Sequence, residues 1–230
     1  MAETVLFQEV DPQALFGGEF PNLGLGVIAY DDKAEASNSG RLAARHAVTQ
    51  VLPVTYLPED ITILNRESGR PYVEFEETLY TRLLEQGIVD IPVSITHDAS
   101  VAMGLAAEDR SQLDGLRIGL DMTTLERMRM HIQAGIKKSM TPDEIREIGD
   151  DHHSLARRFS AKEALSKVLG TGLKNGTYLR TMVTHEEDGL MSVQLTEGAL
   201  GHQQRLGLTH FHIRHAESRG AVAAFVLAHR

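Results

Sequence analysis

The 230-residue chain has no cysteine, which excludes a disulfide scaffold, a zinc-thiolate centre and a cysteine nucleophile. It is also short of positive charge: 23 Lys and Arg face 32 Asp and Glu, leaving a net charge of −9. Sequence-independent binding of nucleic acid needs surplus cations to neutralise phosphates, so no nucleic-acid partner is expected. No stretch approaches the roughly 18 uninterrupted apolar residues of a membrane span. Met1 to Val10 has neither a basic region nor an apolar run, so no signal peptide is expected. Also missing are a Gly-rich phosphate loop, a G-x-S-x-G elbow and an H-E-x-x-H zinc motif. A soluble, cytoplasmic globular protein is the expectation.

What is present is core-forming material, with 42% hydrophobic and 24% charged residues, enough to exclude disorder. At roughly 150 residues per domain the length falls between one domain and two. The first twenty residues show no clear period. Leu23 to Tyr30 reads as an apolar strand carrying Gly24 and Gly26, and Ser37, Asn38 and Ser39 are candidate caps for a helix over Arg41–Leu52. Ile61–Leu64 and Pro71–Phe75 flank Glu67-Ser-Gly-Arg70 as a hairpin, and Thr78–Gln86 is a short helix. Val93–His97 and Val101–Ala107 are strands. Leu116 to Asp121 alternates, which turns Leu116, Ile118 and Leu120 to the core and places Asp121 on the other face with Gly119 and Arg117. Helices are predicted over Thr124–Lys138 and Ser154–Leu169, the latter ended by Gly170. A hairpin at Asp188-Gly189, a helix over Gly198–Leu206 and two closing strands complete the pattern.

Several landmarks recur. Ser94-Ile-Thr-His97 and His212-Ile-Arg-His215 each precede small apolar residues, and the hairpin glycines Gly69 and Gly189 lie 28 and 26 residues before those histidines. Ala43-Ala-Arg45-His-Ala47 and Ala161-Lys-Glu163-Ala lie 52 residues before them. Common dipeptides recur by chance; three landmarks in register point to an internal duplication. The expected fold class is therefore α+β, with two similar lobes, each a small, mostly antiparallel sheet packed with a long helix. The expected division is an N-terminal extension over 1–22 and lobes over 23–112 and 113–230.

Asp121, taken alone, reads as an N-cap for a helix starting at Thr123 or Thr124. Glu163 and Lys167 are four apart on one helical face and read as an ion pair, partly buried because Phe159 shares that face. The same carboxylate and ammonium could serve a metal and a phosphate together. His97 and His215 read as interior strand histidines or as ligands. Arg41, Arg45 and Arg70 read as solvated surface or as a phosphate grip. Asp150-Asp-His-His153 reads as solvated loop or helix cap, and His212 and His215, an odd number apart on a strand, face opposite ways.

Gly119-Leu-Asp121-Met, followed by Arg158-Phe-Ser-Ala-Lys-Glu163-Ala-Leu-Ser-Lys167-Val-Leu-Gly-Thr-Gly172, resembles the 4′-phosphopantetheinyl transferases, most closely the holo-acyl-carrier-protein synthase branch. Ser37-x-x-Gly-Arg41, Gly69-Arg70-Pro71 and Ser94-Ile-Thr-His97 resemble N-terminal motifs of the larger, surfactin-type branch. The likeness runs from about Leu23 to Ala228. It implies an active site in a cleft between two lobes, where a magnesium-dependent enzyme moves the phosphopantetheine arm of coenzyme A to a serine of an apo acyl or peptidyl carrier protein, releasing 3′,5′-ADP. By position, Asp121 and Glu163 would hold magnesium, Lys167 would neutralise the pyrophosphate, and Glu163, directly or through a metal-bound water, would accept the serine proton. Arg41, Arg70, Ser94, His97 and Lys162 would bind coenzyme A. The larger branch carries a second acid where this chain has Thr123, which implies more water on the metal. Arg45 would occupy the pseudo-equivalent of Glu163, leaving one site per monomeric chain and making His215 structural or peripheral.

Arg127, Arg129, Lys137 and Lys138 form a basic run in an acidic protein. They read as an exposed helix face or as a dock for an acidic carrier protein, with Met128, Met130 and Met140 as apolar contacts. Two rival functions remain on these residues: a decayed coenzyme A-binding module, suggested by Thr123, and a carrier-protein scaffold partner that needs only the basic helix.

Overall fold

The computed structural model describes residues 6–230 except 19, 21, 99, 111–114, 135 and 173–177. The chain divides into two compact units, Met1–Ile118 and Gly119–Arg230.

The first unit opens with a short helix, α1 (Pro12–Leu15), capped by the Asp11 carboxylate. Its surroundings are better ordered than an aperiodic sequence suggests: Phe7, Phe16 and Phe20 are buried, and the Gln13 side chain bonds the Phe20 carbonyl and the Leu23 amide. Strand β1 (Leu23–Ala29) and helix α2 (Ala36–Val51) follow. Ser37, Asn38 and Ser39 lie inside α2 instead of capping it, because a 3₁₀ turn at Lys33–Glu35 starts the helix earlier. Next come β2 (Ile61–Asn65), β3 (Pro71–Phe75), α3 (Glu77–Glu85), β4 (Val93–Asp98) and β5 (Val101–Ala107). β2 and β3 form the expected hairpin, while β1, β5 and β4 make an antiparallel sheet in that order.

Strand β6 (Arg117–Thr124) begins at the end of the first unit and runs into the second, where it is followed by α4 (Leu125–Ala134), a 3₁₀ turn at Ile136–Ser139, α5 (Pro142–Ile148) and α6 (His152–Leu169). Then β7 (Met182–Glu187), β8 (Leu190–Leu195), α7 (Glu197–Leu206), β9 (His210–Ser218) and β10 (Ala221–His229) complete a sheet ordered β6-β10-β9-β8-β7. Apart from α1 in the first unit and α4 and α5 in the second, the α-helices and strands of both follow one order: strand, long helix, hairpin, short helix, strand pair. Asp188 (φ 50°) and Gly189 (φ 75°) make the tight turn expected between β7 and β8.

Asp121 is not a helix cap, since β6 continues to Thr124 and the Thr124 hydroxyl accepts the Arg127 amide. Asp151 caps α6, accepting the His153 amide, and Gly170 (φ 70°) ends it in the left-handed region. α6 is buried nearly all round, because it packs on β10, α4 and α7. Among the described residues no helix is long and apolar enough to cross a membrane.

Candidate active site

The site in the second unit is set by how closely α6 lies on β6. A Cβ at Gly119 would overlap the Ala164 carbonyl oxygen, so only glycine permits this approach. With the helix this near, its side chains reach β6 directly. The Lys167 ammonium donates to the Leu120 carbonyl at 2.6 Å and to Asp121 Oδ1 at 2.9 Å. The expected Glu163–Lys167 ion pair is thus replaced by a Lys167–Asp121 bridge, because Asp121 offers the ammonium a second acceptor beside a backbone carbonyl.

Glu163 points to the same place but is only 3% exposed, and its Oε1 has no hydrogen-bond partner. Burial, then the negative charge of Asp121, pushes its pKa up to about 8; Lys167 and Arg127 pull the other way. Two carboxylates and an ammonium therefore converge, and one carboxylate oxygen is left without a hydrogen-bond partner. Among the described residues no group of three or more His, Asp or Glu could hold a metal ion.

Lys162, expected at coenzyme A, is wholly buried on another side of α6. Its ammonium donates to the Ser139 carbonyl at 3.0 Å and to Glu144 Oε2 at 2.6 Å. Glu144 Oε1 in turn accepts the Thr184 amide and hydroxyl at 2.9 and 2.6 Å. Burial lowers the Lys162 pKa to about 8 against the opposing pull of Glu144. Burial works to raise the Glu144 pKa, but Lys162 and the hydrogen bonds outweigh it and lower it. This network ties α5 and β7 to α6, which is a structural task.

His215 is likewise spent on the fold. Its Nε2 lies 3.0 Å from the Arg157 carbonyl, and burial above all lowers its pKa to about 4, so it is a neutral imidazole donating a hydrogen bond. Arg129 and Lys138 are exposed and Arg127 is half-buried, while the Lys137 side chain lies outside the described residues. Of the three methionines only Met130 faces solvent, at 61% exposure; Met128 and Met140 are filled into a core with Leu155 and Val222.

In the first unit Arg41 and His97 are exposed, Ser94 is buried on β4 and Arg70 is half-buried after the β2–β3 turn. Burial lowers the Arg70 pKa, with Asp90 opposing and Arg66 adding to the effect. Arg117, which the sequence did not single out, is lowered to about 10 by burial and then by Arg70. Like-charged guanidinium groups gathered in partly desolvated surroundings suit an anion.

The frame around α2 repeats that around α6. A Cβ at Gly24 would overlap the Ala47 carbonyl, and Gln50 clamps both backbone groups of Leu25, at 3.0 and 2.9 Å, as Lys167 clamps Leu120. Matching these contacts brings His46, not Arg45, opposite Glu163, and Gly26 opposite Asp121. The one-residue difference arises because spacing counted back from the histidines spans loops of unequal length.

Residues 117–226 match the sequence profile of the 4′-phosphopantetheinyl transferase superfamily. The holo-[acyl-carrier-protein] synthase of Shewanella amazonensis is 34% identical over 121 residues, covering 49% of this chain and 97% of that protein. This chain belongs to the 4′-phosphopantetheinyl transferase superfamily. The Shewanella baltica synthase is 36% identical over 119 residues, or 48% of this chain and 93% of its own. Among solved structures, the Neisseria meningitidis synthase overlays on 50% of the chain and 98% of its own length at 28% identity, with a TM-score of 0.44. The Helicobacter pylori synthase, solved in complex with coenzyme A, covers 48% and 98% at 20% identity, with a TM-score of 0.41. The aligned half of this superfamily member holds Asp121, Glu163 and Lys167.

Proposed function

We propose that the chain transfers the 4′-phosphopantetheine arm of coenzyme A to a serine of an apo acyl or peptidyl carrier protein. The observation that carries this reading is the convergence of Asp121, Glu163 and Lys167, with Glu163 Oε1 buried and unpartnered. Hard carboxylate oxygens, one of them without a partner, fit a divalent cation such as magnesium. Held by Asp121 and Glu163, that cation would neutralise charge gathering on the pyrophosphate during transfer. The serine oxygen forms a bond to the phosphorus that carries the pantetheine arm, the pyrophosphate bridge breaks, and 3′,5′-ADP leaves.

The chain's own residues supply the rest. Lys167, fixed by Asp121 and the Leu120 carbonyl, places a cation beside the bridging phosphates. Glu163, whose own proton a bound cation would displace, accepts the serine proton. Arg41, Arg70, Ser94 and His97 hold the nucleotide end; Lys162 is omitted because Glu144 already holds it in the core. Arg127, Arg129 and Lys138, with Met130, dock the acidic carrier. The two units descend from an internal duplication that leaves one complete acid–base set per monomeric chain. The shared order of elements and the matching Gly24 and Gly119 contacts support this.

Incubation with coenzyme A, magnesium and a panel of apo carrier proteins tests the proposal. One phosphopantetheine added to a carrier serine, with 3′,5′-ADP released in equal amount, is the expected result. Coenzyme A binding without transfer to any carrier would instead identify a decayed binding module; carrier binding alone would identify a scaffold.

A further inference from the structure

Besides Glu163 Oε1, the seam between β6 and α6 contains a second buried oxygen without a partner, the hydroxyl Oγ1 of Thr123. Thr123 is completely enclosed. An unsatisfied buried hydroxyl destabilises a fold, so packing alone does not explain a threonine where valine has nearly the same shape. Its direction follows from the strand. Residues two apart share a face, so Thr123 lies on the face of Gly119 and Asp121. That face is the one α6 covers, since Gly119 abuts Ala164 and Asp121 is bonded by Lys167. Past Asp121 the chain heads toward the N-terminal half of α6, because Met128 packs with Leu155 and Ala156. Thr123 therefore enters the seam one step beyond Asp121, on the side from which Glu163 approaches.

We propose that Thr123 Oγ1 is a third protein oxygen of the cation site made by Asp121 and Glu163. The inference rests on the cation reading given above and extends it to a residue that reading does not use. A neutral hydroxyl suits the charge balance. Two carboxylates already match the charge of a divalent ion, and a hydroxyl adds a hard oxygen without changing that charge. Water and phosphate oxygens complete the shell, as is usual for small hard cations.

Manganese(II) titrated into the full chain by calorimetry, without coenzyme A, tests this directly. The wild type is expected to bind one ion, Thr123→Ser to stay within about twofold of it, and Thr123→Val to bind roughly tenfold more weakly. Without metal, Thr123→Val should melt no lower than the wild type, because the hydroxyl it loses had no partner. Manganese affinity unchanged in a folded Thr123→Val would overturn the inference. Should that variant not fold, Thr123→Ala binding as tightly as Thr123→Ser would overturn it equally. Absence of binding by the wild type, with Glu163→Gln as its control, would instead remove the cation reading itself, and this inference with it.

Discussion

The two long helices, α2 and α6, meet their edge strands in the same way and yet carry different chemistry. Each runs so close to its strand that a glycine, Gly24 or Gly119, is required beneath a helix carbonyl, and each clamps the next strand residue with a side chain one turn on. In the first unit the positions above that frame are Gly26, His46 and Gln50; in the second they are Asp121, Glu163 and Lys167. The Gln50 clamp is a neutral amide that satisfies an edge backbone. Lys167 does the same for Leu120 and adds a charge next to a carboxylate pair. The frame is common to both units; on the proposed reading, the three residues that differ on it form the site in the second.

That comparison can be broken at its strongest point first. Glu163→Gln should lower transfer, measured as kcat/KM, by about 10³-fold or more, with the circular dichroism spectrum unchanged, whereas His46→Gln at the matching position should leave it within twofold. Gly119→Ala and Gly24→Ala should each destabilise by about 3 kcal/mol, since backbone must move to admit a methyl group. In a chain of this size that lowers Tm by roughly 10 °C. If only one glycine proves sensitive, the two frames are not equivalent.

The pH dependence sharpens the contrast further. The Glu163 carboxyl keeps its proton up to about 8 in the fold but releases it above its ordinary value of 4.5 when unfolded. The folded state thus binds the extra proton between these values, and stability falls as pH rises from 4.5 to about 8. In metal-free buffer Glu163→Gln should lack this decline, melting above the wild type at pH 8 but not at pH 5. The smallest effect expected is at the surface: reversing charge at Arg127 and Arg129 should raise KM for the carrier about tenfold at low salt, without changing KM for coenzyme A.

Much of this was legible in the sequence, for identifiable reasons. The alternation of Leu116 to Leu120, the Asp188-Gly189 turn and the Gly170 cap are local signals, and each formed as expected. α5 was missed although Thr141-Pro-Asp-Glu144 is a capping box with proline at the first turn. Asp121 looked like a cap because periodicity alone could not show that β6 runs on to Thr124. Lys162 and Lys167 were indistinguishable as charges on one helix. Only packing shows that one is sealed against Glu144 and the other turned to Asp121. The unpartnered oxygens of Glu163 and Thr123 are equally invisible in sequence, because satisfaction is a property of three-dimensional neighbours.

The central claim is that the Asp121–Glu163 pair makes the second unit, and not the first, the seat of transfer. Intact-mass measurement of one apo carrier protein, incubated with coenzyme A, magnesium and either wild type, Glu163→Gln or His46→Gln, tests it most directly. The account predicts a phosphopantetheine adduct with the wild type and His46→Gln and none with Glu163→Gln. An adduct formed at the wild-type rate by Glu163→Gln would contradict it.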